Sequence, residues 1–201
     1  MTERAVLLIR RRRPIGEPPG LEPGATPGYA MLDGVAGAGR VRLALAEHGI
    51  PTGTLHQAVL DPAVTPAQLH ALDLGRRYAV VILGSHLVNT PDEPLRGALV
   101  MAAARQLVGD GHVLVEHHPI DWAETAAPTD PTPGSAVGME DVRVHPPFVS
   151  AVTTYDVGGR FERVPFTARV LSEAELDEAL ATAGLGRRER LGPTWLVAIP
   201  A

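Results

Sequence analysis

The sequence predicts an α/β fold built on a mostly parallel, doubly wound sheet with antiparallel strands toward the C-terminus, and three observations predict it. Apolar runs and helical patterns alternate between Tyr29 and Val115, the order that threads parallel strands through helical crossovers. The run Tyr78 to Leu83 is continuously apolar, as a strand buried on both faces is. Beyond Asp141 the pattern changes to alternating segments around Gly158-Gly159, a hairpin signal.

Each element follows in order. Proline and glycine crowd Pro14 to Gly28, so residues 1–28 are expected to form an extended or loosely ordered arm and the domain to span 29–201. Tyr29 to Asp33 reads as the first strand, and Arg40 to His48 as a helix closed by Gly49. Thr54 to Leu60 is the second strand, and Thr65 caps a short helix through Leu72. After Tyr78 to Leu83, Pro94 opens a helix to Leu107 that closes near Gly109, and His112 to Val115 is a further buried strand. An antiparallel insertion covers 141–171, with strands at Asp141 to His145, Val149 to Val157 and Arg160 to Leu171. It is expected to cover a pocket or to form a homodimer contact. Ser172 and Glu175 have the spacing of a capping box, and Gly184 ends that helix. Gly186 to Leu191 and Thr194 to Ile199 complete the sheet.

Composition removes many chemistries. The 201 residues are 45% hydrophobic, enough for one substantial core. Net charge is -5, and the arginines are scattered apart from Arg10 to Arg13, which argues against a nucleic-acid partner. No apolar run reaches membrane-spanning length, and arginines follow the short apolar run Ala5 to Ile9, the reverse of a signal peptide. No membrane partner and a cytoplasmic location are expected. The chain has no cysteine and no lysine, so disulfides, thiolate nucleophiles, Schiff bases and a P-loop lysine are excluded. His117 and His118 are adjacent, and alternation along a strand would point them to opposite faces without a third clustered ligand. No metal is expected.

The leading constellation is Leu32-Asp33-Gly34-Val35-Ala36-Gly37-Ala38-Gly39-Arg40, between a strand and a helix. Glycines there admit a ligand against the backbone, and the helix start offers N–H groups. The segment resembles the first motif of the class I S-adenosylmethionine-dependent methyltransferases, an acidic residue followed by alternating glycines. Asp33, Gly37 and Gly39 match it, whereas Val35 stands where the first glycine sits. The resemblance continues through Asp73 to Thr90, Gly111 to Pro119 and Phe166 to Leu171, together spanning most of 29–201, and is closest to small actinobacterial-type members.

That resemblance implies a Rossmann-like sheet with S-adenosylmethionine across its carboxyl edge, held by Asp33, Gly37 and Gly39, with Gly84 and Ser85 nearby. It makes Asp61 the candidate for the ribose hydroxyls; an ordinary Asp-Pro turn with Pro62 is the competing reading. The family's third strand, with its adenine-contacting acid, has almost no room between Leu69 and Asp73 and is expected to be missing. Methyl transfer requires positioning and proton removal, for which His86 and His117 are the candidate bases. Asn89, Glu116, His118 and Trp122 are candidate substrate-binding residues; His86 also reads as a hydrogen-bonded strand-end histidine, and Trp122 as pocket wall. The expected activity is methyl transfer to an O or N nucleophile of a small molecule in secondary metabolism. A cyclase or lyase that has lost methyl transfer, and a non-catalytic interaction subunit, are the alternatives.

Overall fold

The computed structural model describes residues 29–34, 55–60, 63–130, 137–157 and 160–201. The N-terminal arm, the helix expected over Arg40 to His48, and Gly37, Gly39, Asp61 and the Gly158-Gly159 turn lie outside the described residues.

Six strands form the main sheet: β1 (Tyr29–Gly34), β2 (Leu55–Leu60), β3 (Tyr78–Leu83), β4 (Leu107–Glu116), β8 (Leu185–Arg190) and β9 (Trp195–Pro200), in the order β2-β1-β3-β4-β9-β8. The first four run parallel, and β9 and β8 are antiparallel additions. On one face Ala30, Leu32, Val81, Leu83, Val113, Val115, Leu196 and Ala198 form a single core with the helices α1 (Pro66–Ala71), α2 (Glu93–Arg105) and α4 (Glu173–Thr182). Val80, Ile82, Leu114 and Val197, which alternate with them, are buried too. The continuous apolar run of β3 therefore follows from burial on both faces.

Local chemistry sets the boundaries. Thr65 caps α1 in a reciprocal box with Gln68, and Ser172 caps α4 with Glu175. Gly184 adopts φ 70 immediately after α4, a conformation that costs glycine little. Asp92 caps α2 by accepting from the Leu95 N–H at 3.0 Å.

The expected helix to Leu107 is corrected: α2 stops at Arg105, and the chain is already a strand at Leu107. Gln106 brings this about, since its side chain accepts from Leu74 N–H and donates to the Leu72 carbonyl, while its carbonyl takes Tyr78 N–H. Gly109 is no helix terminator. The register passes from Tyr78↔Leu107 to Val80↔His112, so residues between bulge out. A Cβ at Gly111 would stand 2.9 Å from the Leu107 side chain and 3.0 Å from the Val108 carbonyl, a crowding that glycine avoids.

A second sheet of three antiparallel strands, β5 (Val137–His145), β6 (Phe148–Val157) and β7 (Arg160–Arg169), lies between the one-turn helix α3 (Trp122–Thr125) and α4 in the chain. It begins earlier than the expected Asp141, its first strand bulging between Glu140 and Arg143. Val149, Ala151 and Ala168 are buried, while Arg143, Glu162, Arg163 and Thr167 are not. That is the alternation of a sheet with one covered face. Among the described residues no helix is long and apolar enough to cross a membrane.

Candidate functional site

The parallel strands turn back at one place. The chain runs from β1 to β2 on one side and then to β3 on the other, which makes the carboxyl ends of β1 and β3 the crevice where open α/β sheets receive ligands. Register fixes what stands there: Leu32 pairs with Leu83, Leu83 with Val115, and Gly34 with Leu60. Asp33 and Gly34 thus share an edge with Gly84 and Glu116. Gly84 N–H donates to the Leu32 carbonyl at 3.0 Å, extending the β1–β3 seam one residue past the strand.

Beyond Gly84 the chain turns sharply. Ser85 and His86 both take positive φ, 53 and 52, at a cost of about 1 to 3 kcal/mol each for non-glycine residues. Glu116 closes β4 with its side chain only 3% exposed. Its Oε2 accepts the Ser85 N–H at 2.8 Å, and its Oε1 lies 3.9 Å from His86 Nε2. The strained turn thereby brings one partly exposed imidazole, 26% exposed, against a buried carboxylate.

Four rings extend from this pair. His86 stacks on His118 with centroids 4.0 Å apart, His118 on Trp122 at 3.6 Å, and Trp122 runs nearly parallel to Phe166 at 6.4 Å. Burial first, then neighbouring His86 and His117, hold the His118 pKa down to about 2. His118 is a neutral spacer and not a proton acceptor near neutral pH.

The two candidate bases are separated. His117 has no exposed surface and stands apart from the stack, with Nδ1 2.7 Å from the His118 carbonyl and Nε2 3.4 Å from Arg190 Nη1. Burial is the main cause of its lowered pKa, so its neutral ring donates from Nδ1. Alternating faces do not describe the His117-His118 pair, because β4 ends at Glu116. Asn89, in the 3₁₀ turn Leu87–Asn89, is 1% exposed; its Oδ1 accepts His118 N–H and its Nδ2 donates to the Arg169 carbonyl, both at 2.8 Å. Its amide is engaged by main chain at both ends.

Sequence reasoning missed Phe166 and the Ser85 main chain. Phe166 was discoverable as an apolar residue two positions from buried Ala168 on one face of β7; the Ser85 backbone leaves no compositional trace. Among the described residues no three His, Asp or Glu side chains gather as a metal site.

No protein-family model matches the chain, and no curated protein matches its sequence. Solved structures do. The sugar N-methyltransferase KedS8 from Streptoalloteichus sp superposes with TM-score 0.61 at 18% identity, over 98% of this chain and 85% of that one. The CcbJ methyltransferase from Streptomyces caelestis superposes with TM-score 0.61 at 20% identity, over 88% and 90%. The glycopeptide N-methyltransferase MtfA, in complex with S-adenosylhomocysteine, superposes with TM-score 0.54 at 14% identity, over 98% and 86%. With its parallel strands, reversed strand order and antiparallel β9 and β8, the chain has the fold of the class I S-adenosylmethionine-dependent methyltransferases.

Proposed function

We propose that this chain transfers a methyl group from S-adenosylmethionine to a nitrogen or oxygen of a small molecule. The observation that carries the reading is the carboxyl edge where strand order reverses between β1 and β3, with a buried carboxylate and a partly exposed histidine beside it. The likeness in fold to the sugar and glycopeptide N-methyltransferases supports it.

The residues present suit this cofactor. Gly34 and Gly84 carry no side chain at the two strand ends, and Asp33 stands in the sequence at the end of β1, the edge that would receive a sulfonium cation. Asp33, with Gly37 and Gly39 in the following segment, would hold it on the β1 side; Asp61 would serve the ribose, and Gly84 and Ser85 would border it on the β3 side. When bound, S-adenosylmethionine supplies an electrophilic methyl group that needs no further activation.

The chain's own residues handle the acceptor and its proton. His86 takes the proton from the attacking nitrogen or oxygen, and Glu116 at 3.9 Å stabilises the imidazolium that forms. Ser85 N–H holds Glu116 in place from the other oxygen. The stack of His86, His118 and Trp122 presents its ring edges beside the base, where the acceptor is oriented and water excluded. A buried carboxylate favours an acceptor that arrives as a cation, so an amine is preferred to a hydroxyl.

A second reading has its own observation. Among the described residues β2 is the outermost strand on its side, which supports the expectation of a site without the family's third strand and its adenine-contacting acid. A cyclase or lyase using the same pocket is the reading that such a site favours.

Calorimetric titration with S-adenosylmethionine and S-adenosylhomocysteine tests the first reading. Micromolar binding is expected, abolished by Asp33→Ala and retained in Glu116→Gln, the latter losing about 10²-fold or more in turnover. Absence of binding at millimolar ligand overturns methyl transfer and leaves the second reading.

A further inference from the structure

His118 is gripped at both ends of its main-chain unit by buried side chains from different elements. Its N–H donates to Asn89 Oδ1 at 2.8 Å, and its carbonyl accepts from His117 Nδ1 at 2.7 Å. Asn89 is 1% exposed and His117 not at all, so neither bond competes with solvent. Each gripping side chain is anchored in turn. Asn89 Nδ2 donates to the carbonyl of Arg169, the last residue of β7. His117 Nε2 faces Arg190 Nη1 from β8, and Arg190 is ion-paired with Glu173 on α4.

We propose that Asn89 and His117 are positioning residues: together they fix the His118 ring, and His118, stacked on His86 at 4.0 Å, holds the His86 imidazole against Glu116. The inference rests on the reading of His86 as the proton acceptor, and it gives two buried polar residues a role without contact with any ligand. Three considerations support it. The two peptide units that flank the His118 Cα are each bonded to a buried side chain, which restricts rotation on both sides of the residue. A ring stacked on both faces, by His86 and by Trp122, transmits that placement directly. His86 itself sits in a turn of positive φ, whose conformation must be imposed by its surroundings. The clamp also ties the stack to both sheets, through Arg169 in the three-stranded one and Arg190 in the six-stranded one.

The test is spectroscopic and independent of turnover. Imidazole resonances of His86 and His118, assigned from His86→Gln and His118→Gln, are compared in the full chain for Asn89→Leu, His117→Phe and His117→Asn, with Trp122 fluorescence as a second signal. Asn89→Leu and His117→Phe are expected to lose the ring-current displacement of both resonances and to alter Trp122 emission. His117→Asn, whose amide N–H stands where Nδ1 donates, is expected to restore both. Undisturbed resonances in Asn89→Leu or His117→Phe overturn the proposal, as does His117→Asn behaving like His117→Phe. If Asn89→Leu does not fold, the His117 pair decides by the same criteria. Calorimetry with S-adenosylmethionine on the unsubstituted chain runs beside it: no binding there overturns the functional reading and leaves the fate of the clamp to the resonances.

Discussion

Three histidines lie within two strand ends, and their surroundings assign them different work. His86 is partly exposed beside a carboxylate, His117 is sealed, and His118 is stacked on both faces. The suppressed pKa of His118 has a consequence for stability. Its folded pKa of about 2 lies below the ordinary 6.5, so between those values the unfolded chain binds a proton that the folded chain refuses. Stability from this residue is complete above pH 6.5 and declines as pH falls toward 2. From pH 7 to pH 5 the loss expected from His118 is about 2 kcal/mol, and His117, shifted in the same direction, adds to it. Urea denaturation at the two pH values measures this, and His118→Phe is expected to reduce the difference; an equal pH dependence in that variant would show that His118 titrates normally.

At the scale of elements, α4 joins the two sheets. Its capping box places Glu175 against both Ser172 and Arg169, the hydrogen bond to Arg169 being the first cause of the Glu175 pKa falling to about 2. Its first and second turns reach β8, where Arg187 pairs with Glu173 and Asp177. Ser172→Ala removes the acceptor for Glu175 N–H and is expected to cost about 0.5 to 2 kcal/mol. Thermal denaturation gives the magnitude. Hydrogen exchange locates it: faster exchange is expected in α4, with the His86 turn unaffected. The charged β8 also protects the outer edge of the sheet, since arginines on an edge strand oppose pairing with other chains.

For the molecule as a whole, the carboxyl edge of the main sheet and the three-stranded sheet are connected through side chains of both. Asn89 reaches Arg169, and Trp122 faces Phe166. A ligand that binds only the folded chain stabilises all of it. S-adenosylmethionine at 100 times its dissociation constant is expected to add about 2.7 kcal/mol, raising the melting temperature by roughly 5 to 10 °C for a chain of this size. Differential scanning calorimetry with and without ligand checks this, and an unchanged melting temperature at millimolar ligand would contradict the proposed cofactor.

The strands were legible because apolar patterning is local: β3 begins and ends where the run Tyr78 to Leu83 does, and β6 and β7 flank the Gly-Gly signal. The capping box at Ser172 was legible because both partners lie within four residues. The end of α2 was not, because Gln106 is held by Leu72 and Leu74, more than 30 residues away. Glu116 and Ser85 could be named as edge residues, yet only tertiary structure decided that they bond to each other. The sequence by itself determined the order of strands and helices and the chemical types available at the sheet's edge, since periodicity and capping act over a few residues. Which histidine meets the carboxylate, and that Asn89 meets the His118 main chain, was decided by the packing of segments about 30 residues apart, a property no local pattern encodes.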